Sequence, residues 1–272
     1  MVKKLACFFT GGYTEASGYM QIFLKKINNR YEYEQCMPNS TRKRKGSPKK
    51  LIDEYNGITG EALISKVYEY LKTPVVMQKF NSGVFSGILI EDDLDGRFDR
   101  LSPKEIEKYE NSIRKNISEI LGKNYPVYFV YASPEIESWF ASDWDGGFGN
   151  FFCNGIEFRR FDKNLRRHFS ILLRKRIVFD LLEGCRSIER YTYANGQYRK
   201  LSRDIDNTIA EINIIIDNTD TSAHIADNRS GFHYSKNEHG SRILRDINPD
   251  KVREKCTEYF ARCYLALANE NG

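Results

Sequence analysis

The sequence predicts an α/β protein in which a parallel β-sheet is flanked by helices and followed by a mostly helical C-terminal part. Over the first 145 residues, short apolar segments alternate with segments in which apolar residues recur every three or four positions. Near-continuous apolar strands between amphipathic helices are typical of parallel sheets covered on both faces. Hydrophobic residues make up 40% of the 272-residue chain, which is enough for a sizeable core.

The strands and helices are predicted in order along the chain. Apolar or alternating residues predict strands at 3–9, 31–36, 86–91 and 126–131. Helical spacing predicts helices between and after them at 14–27, 60–72, 103–121 and 133–140. Pro103 after Ser102 is a typical helix start. Beyond the glycine-rich break at 146–149, helices are predicted at 161–183, 199–216 and 249–268.

Several classes of protein are excluded by patterns that the sequence lacks. No segment approaches about 18 uninterrupted apolar residues, so no membrane-spanning helix is expected. The chain contains no Gly-x-x-x-x-Gly-Lys-Ser/Thr and is not itself a P-loop ATPase. Its six cysteines form no Cys-x-x-Cys pair, which predicts free thiols in a reducing cytoplasm. His233 and His239 have no cysteine nearby, so their spacing does not indicate a zinc site.

Positive charge is concentrated in two segments, although the net charge is only +5. The segment 39–50 contains basic residues and no acid, and 159–176 is almost as strongly basic, with Asp162 its only acid. Such segregation is typical of surfaces that contact phosphates. The candidate nucleic-acid contacts are Arg42, Lys43, Arg44, Lys45, Lys49, Lys50, Arg166 and Arg167. The alternative is a solvated surface and, in 159–176, a helix that also packs on the core.

A cluster of carboxylates at the end of the third predicted strand indicates a metal site. Glu91, Asp92, Asp93 and Asp95 directly follow the apolar residues 88–90. Like charges gathered together oppose ionisation, and a divalent cation such as Mg²⁺ relieves that repulsion. In an extended segment, Glu91, Asp93 and Asp95 project to one side, at the strand end where open α/β sheets bind ligands. The alternative is an acidic turn at the rim of the sheet.

Two further glutamates follow other predicted strands and are expected at the same edge of the sheet. Glu15 comes after the first strand, and Glu137 comes after the fourth. The alternative for Glu15 is a role at a helix start, where Thr14 caps the helix and Glu15 favours its positive end. Glu135 and Glu137 cannot both face one point on a helix, so we assign Glu135 to compensation of the helix dipole.

The order of these motifs resembles the Toprim fold, in which a glutamate follows the first strand and Asp-x-Asp follows a later one. More narrowly, the chain resembles a Toprim-like family of uncharacterised bacterial proteins linked to anti-phage defence and related to the overcoming-lysogenization-defect nucleases. The matching segments are 12–15, 91–95, 135–143, 234–240 and 247–253. The resemblance spans nearly the whole chain. It departs from the family at the first motif, where relatives usually place a carboxylate before the glycine, and at 146–215, which matches no family segment.

The resemblance implies metal-assisted cleavage of phosphodiester bonds with Mg²⁺ or Mn²⁺. Asp93 and Asp95 would hold the metal, and Glu15 would be a further ligand or a general base. Glu137 would complete a second metal position, since two metals stabilise the attacking and leaving oxygens of an in-line displacement. Lys236 would neutralise charge that develops on the phosphate; its alternative is a solvated surface lysine.

The resemblance also implies an organisation and a set of partners. Residues 1–145 would form a Toprim-like catalytic domain, and 146–272 would complete the substrate groove. The substrate would be DNA or tRNA-like RNA, and the protein an effector of anti-phage defence in the cytoplasm, without a membrane partner. A toxic nuclease needs restraint, so we expect a regulatory partner such as an ATPase, or a homo-oligomer. The alternatives are a non-catalytic nucleic-acid-binding or sensor protein and a phosphohydrolase acting on nucleotides.

Overall fold

A four-stranded parallel sheet lies at the centre of the protein. The computed structural model describes residues 3–38, 40–41, 50–51, 56–181, 187–191, 193–194, 197–198, 200–219 and 231–269. The sheet consists of β1 (Lys3–Phe8), β2 (Tyr31–Met37), β5 (Gly87–Asp93) and β6 (Val127–Ala132). Their order is β2-β1-β5-β6 with every neighbouring pair parallel, which confirms the predicted α/β class. Two short antiparallel pairs lie outside it: β3 (Ser40–Thr41) with β4 (Lys50–Leu51), and β7 (Tyr193–Ala194) with β8 (Gln197–Tyr198).

The described residues form α-helices around this sheet and through the C-terminal part, which agrees with the predicted class, although the sequence predicts no helix at 74–81, 148–154 or 241–246. Those before residue 145 are α1 (Tyr19–Ile27), α2 (Gly60–Leu71), α3 (Pro74–Asn81), α4 (Pro103–Leu121) and α5 (Glu137–Ser142). Those after it are α6 (Phe148–Asn154), α7 (Lys163–Arg174), α8 (Leu201–Thr219), α9 (Ser241–Asp246), α10 (Pro249–Lys255) and α11 (Phe260–Ala268). The shorter helical turns are Glu15–Ser17, Ile156–Phe158, Lys175–Leu181, Ile188–Arg190 and Lys236–Gly240.

The boundaries of α4 match the sequence prediction because both ends carry strong local signals. The hydroxyl of Ser102 accepts from the backbone N–H of Glu105, and the Glu105 carboxylate accepts from the N–H of Ser102. This reciprocal pair satisfies N–H groups that have no partner within the helix. Gly122 ends the helix at φ 67°, in the left-handed region that glycine adopts readily.

The single helix predicted at 249–268 is two helices, and a buried glutamate explains the break. The backbone N–H groups of Glu258, Tyr259 and Phe260 donate to the carboxylate of Glu189 over 2.6 to 3.2 Å. These donors lie at the start of α11, where a helix has no internal acceptors for them. Glu189 is about 70 residues away in the chain, so no local pattern could have revealed this cap.

We predict that Glu189→Ala destabilises the protein by about 3 kcal/mol, because several buried N–H groups lose their acceptor together. The effect is measured as the shift of the urea midpoint against wild type. Glu254→Ala is the matched control, because Glu254 is an exposed glutamate on neighbouring α10. A loss in Glu189→Ala no larger than that in the control would contradict the capping role.

The strands alternate their side chains between two hydrophobic clusters, one on each face of the sheet. Phe8 and Ile90 lie in the cluster that α2 and α4 cover. Cys7 and Leu89 lie in the other cluster, together with Trp139. This second cluster also contains aromatic residues from beyond residue 145, namely Phe148, Phe151, Phe152, Phe158, Phe169, Tyr191, Phe232, Tyr234 and Phe260. The C-terminal helices therefore share one core with the sheet.

Two further sequence expectations concern membrane-spanning helices and the cysteines. No helix among the described residues combines the length and the apolar character needed to cross a bilayer. The described cysteines are free, as predicted, and all except Cys153 are buried. Cys185 lies outside the described residues.

Candidate functional site

The candidate site lies at the carboxyl ends of β1 and β5, where the strand order changes direction. The chain passes from β1 to β2 on one side and then returns to β5 on the other side of β1. Ligands of open α/β sheets bind at such a point. Thr10 joins the two strand ends: its backbone N–H donates to Glu91 Oε2 over 3.0 Å, and its hydroxyl accepts from the N–H of Asp93 over 2.9 Å.

Three carboxylates and one ammonium group meet at this edge of the sheet. The Nζ atom of Lys236 lies 3.0 Å from Asp93 Oδ2, 3.7 Å from Glu15 Oε1 and 3.7 Å from Glu137 Oε2. Glu15 and Glu137 are fully buried, and Asp93 is 4% exposed. We call Glu15, Asp93 and Glu137 the carboxylate cluster. The turn after β1, the end of β5, the start of α5 and the segment 236–240 each contribute one member of this arrangement.

Several oxygens of the carboxylate cluster have no hydrogen-bond donor among the described residues. They are Glu15 Oε1 and Oε2, Asp93 Oδ1 and Glu137 Oε2. Buried polar atoms normally have a partner, because leaving one unsatisfied costs about 1–3 kcal/mol. Carboxylate oxygens are the ligands that Mg²⁺, Mn²⁺ and Ca²⁺ prefer. The cluster therefore fits a divalent cation of this class.

Neighbouring residues fix the position of each charged side chain. A Cβ atom on residue 12 would lie 1.9 Å from Glu15 Oε2, so a larger residue there would displace the Glu15 carboxylate from this position. The hydroxyl of Tyr234 donates to Glu137 Oε1 over 2.9 Å. The hydroxyl of Thr14 donates to the carbonyl oxygen of Lys236 over 2.9 Å, which ties the segment carrying the lysine to the turn carrying Glu15.

Burial and neighbouring charges shift the pKa values of Asp93, Lys236 and Glu91 at the site. Burial raises the pKa of Asp93 well above its usual value; the ammonium of Lys236 opposes this shift, and Glu15 adds to it. Burial alone would lower the pKa of Lys236, but Asp93, Glu137 and Glu15 outweigh it, so the pKa is raised and the ammonium stays charged. Burial also raises the pKa of Glu91, with Asp93 and Glu15 adding to the shift.

The structure brings four of the five predicted catalytic and metal-binding residues together: Glu15, Asp93, Glu137 and Lys236. Asp95 lies beyond the end of β5 at φ 47°, and its backbone N–H donates to the carbonyl oxygen of Pro134. Its charge acts on Asp92 and on Arg97. The alternation that we expected to align Asp95 with Asp93 ends with the extended strand, and a metal-binding role for Asp95 stays a prediction.

Glu135 belongs to the site, although we assigned it to the helix dipole. It is buried, its carboxylate accepts from the hydroxyl of Ser202 over 2.8 Å, and its charge acts on both Asp93 and Lys236. Because α5 begins at Glu137, Glu135 precedes the helix and is not restricted to helical directions. Burial raises the pKa of Glu135, and the charge of Glu137 adds to that shift. Two acids spaced by one residue directly after a strand were the available signal.

The predicted nucleic-acid contacts are described only in part. Arg42, Lys43, Arg44, Lys45 and Lys49 lie outside the described residues, as does the side chain of Lys50. Arg166 donates to the carbonyl oxygen of Cys153 over 2.7 Å, so its guanidinium ties α7 to α6. Arg167 is exposed and lines a cavity of about 420 Å³ together with Arg174 of α7 and residues of α6.

Comparisons with known proteins matched no family model, no curated protein and no solved structure.

Proposed function

We propose that the protein is a Mg²⁺- or Mn²⁺-dependent nuclease that hydrolyses phosphodiester bonds in DNA or tRNA-like RNA. The observation that carries this proposal is the buried carboxylate cluster, whose oxygens largely lack hydrogen-bond donors among the described residues. A divalent cation bound there supplies stabilisation of charge on the phosphate and lowers the pKa of a water molecule. The resemblance to Toprim-like proteins of anti-phage defence supports the same chemistry.

Glu15, Asp93 and Glu137 would hold the metal, and Lys236 would take a second role when it is bound. In the structure, the ammonium of Lys236 is the cation beside these carboxylates. A divalent cation and an ammonium about 4 Å apart repel by about 8 kcal/mol at an effective dielectric constant near 20. Lys236 would therefore leave the cluster on metal binding, and its ammonium would be available to a phosphate oxygen of the substrate.

Glu15 is the best placed proton acceptor of the cluster, unless it acts as a metal ligand. Neither of its oxygens accepts a hydrogen bond from a described residue, and its side chain is fully buried. A buried carboxylate with such oxygens can orient a water molecule and accept its proton. The hydrogen bond from Tyr234 leaves the other oxygen of Glu137 directed toward Lys236.

A polymeric substrate is favoured by the basic surface of α7. Arg167 and Arg174 line the same cavity, and neither has an ion pair among the described residues. Contacts of this kind release counterions from nucleic acid, so affinity should fall steeply as salt rises. A cytoplasmic location and restraint by a regulatory partner, such as an ATPase, or by a homo-oligomer belong to this proposal.

A non-catalytic nucleic-acid-binding or sensor protein is the second candidate. The 3.0 Å ion pair between Lys236 and Asp93 favours it, because a permanent ammonium partner would satisfy part of the charge without a metal. In that case the arrangement would be a structural ion-pair network.

The first experiment incubates the full chain with labelled tRNA, single-stranded DNA and duplex DNA in Mg²⁺ or Mn²⁺. We expect metal-dependent cutting of at least one substrate and complete loss of cutting after metal removal with EDTA. Thermal unfolding with and without Mg²⁺ is measured in parallel. Cutting that continues in EDTA would contradict the metal mechanism. No cutting and no Mg²⁺-dependent stabilisation would contradict the nuclease proposal and leave the binding protein as the remaining candidate.

A further inference from the structure

A second group of metal-binding side chain types lies in the segment that carries Lys236. Ligand atoms of His233, Glu238 and His239 all lie within 4.8 Å of one another. Two imidazole nitrogens with one carboxylate oxygen are typical ligands of Zn²⁺ and related transition metals, whereas Mg²⁺ prefers oxygen alone. This group therefore differs in chemistry from the carboxylate cluster.

Aromatic packing holds both imidazoles in place. His239 is 2% exposed, and its ring centroid lies 4.8 Å from that of Phe151. The ring of His233 lies 5.7 Å from that of Phe158 and 5.2 Å from that of His239. The two nitrogen ligands are thus brought together by packing, and no cation is required to do so.

The carboxylate is the adaptable member of the group. The side chain of Glu238 is 71% exposed, and its Oε2 lies 3.8 Å from His239 Nε2. Tetrahedral Zn²⁺ with bonds of about 2.1 Å places its ligand atoms about 3.4 Å apart. The ligand atoms, which lie within 4.8 Å of one another, must therefore come closer together, and rotation of the exposed Glu238 side chain supplies much of that movement. Three protein ligands leave a fourth position for solvent.

One hydrogen bond sets a cost for metal binding. The backbone N–H of Ser235 donates to Nδ1 of His239 over 3.0 Å, so the proton of the neutral ring is on Nε2, the nitrogen nearest Glu238. A metal on Nε2 takes the place of that proton, which then resides on Nδ1. The Ser235 N–H loses its acceptor. We therefore expect a dissociation constant on the order of micromolar, which is much weaker binding than that of a structural zinc site.

We propose that His233, Glu238 and His239 form a site for Zn²⁺ or a transition metal of the same class, separate from the carboxylate cluster. The proposal does not depend on nuclease activity, because its ligands and its metal class both differ from those of the cluster.

The test is a titration of the metal-stripped full chain with Co²⁺, followed by its visible absorption, and with Zn²⁺ by calorimetry. The titration is run in excess Mg²⁺, which would occupy the carboxylate cluster, and under these conditions we expect one equivalent of Co²⁺ to bind with nitrogen coordination in its spectrum. His233→Ala and Glu238→Gln, neither of which removes the buried His239, should each weaken binding at least about tenfold.

Two control variants keep the result specific to this site. His168→Ala removes an exposed histidine on α7 and should leave Co²⁺ binding unchanged. Asp93→Asn alters the carboxylate cluster and should also leave it unchanged. Absence of Co²⁺ binding by wild type, full binding by the His233→Ala and Glu238→Gln variants, or loss of binding in Asp93→Asn would each overturn the proposal.

Discussion

Asp93→Asn should abolish metal-dependent cleavage while leaving the metal-free protein at least as stable as wild type. Asparagine keeps the size of the side chain but removes the negative charge from the centre of the site. We expect the cleavage rate to fall by about 10³-fold or more, because the metal loses a charged ligand. Cleavage is measured on the substrate that wild type cuts, at equal protein and Mg²⁺ concentrations.

The stability expectation follows from the sign of the pKa shift. The pKa of Asp93 is raised in the folded protein, chiefly by burial, so its ionised form is held there at a cost in free energy. A neutral isostere avoids that cost. Wild type should gain about 2.7 kcal/mol when Mg²⁺ is present at 100 times its Kd, and Asp93→Asn should gain almost none.

Asp217→Asn is the matched control, since Asp217 is an exposed aspartate on α8. It should retain both cleavage and the rise in Tm with Mg²⁺. An undiminished rise in Tm with Mg²⁺ for Asp93→Asn would place the metal elsewhere in the chain.

Lys236→Met should have opposite effects on metal binding and on catalysis. Without its ammonium, the carboxylate cluster has no cation within hydrogen-bonding distance among the described residues, and the metal-free protein should lose about 3 kcal/mol of stability. Mg²⁺ should bind more tightly than to wild type, because it no longer competes with the lysine, and should restore most of the lost stability. Cleavage should fall, since the contact of Lys236 with the substrate phosphate is lost.

Calorimetric Mg²⁺ titrations and thermal unfolding of the same samples check this result. Lys255→Met on α10 makes the same substitution at an exposed lysine, and it should change neither the affinity for Mg²⁺ nor the unfolding temperature. Unchanged or weaker Mg²⁺ binding by Lys236→Met would show that the ammonium and the metal do not share one position.

Much of the fold is predictable from the sequence because its elements carry local signals. β1, β5 and β6 contain continuous apolar segments, β2 alternates polar and apolar residues, and the capping pair of Ser102 and Glu105 marks the start of α4. The break between α10 and α11 is not predictable, because it depends on Glu189 from a distant turn. Tertiary hydrogen bonds of this kind leave no spacing for a sequence pattern to reveal.

The part of the candidate site that follows from the sequence is the part whose residues are positioned by the order of the strands alone. Glu15 follows β1, and Asp93 is the last residue of the neighbouring parallel strand β5, so both lie at the same edge of the sheet. Lys236 came only from the family resemblance, because no periodicity links it to the sheet. Asp95 and Glu135 depart from expectation because each depends on where a strand or helix ends, which sequence patterns locate least well.

The histidine pair shows a further limit of spacing arguments. His233 and His239 belong to no standard zinc pattern, yet their rings lie 5.2 Å apart because the chain between them folds into a helical turn. Packing on Phe151 and Phe158 holds the two rings. Such proximity is a property of the folded core.

The contact between Lys236 and Asp93 also has a consequence for biosynthesis. The two residues are 143 positions apart, and the lysine leaves the ribosome after all members of the carboxylate cluster. A nascent or proteolytically shortened chain that has the sheet but not the segment around Lys236 lacks the ammonium that pairs with the carboxylate cluster. The metal-free protein therefore reaches its full stability only after Lys236 has been translated and its segment has docked against the sheet.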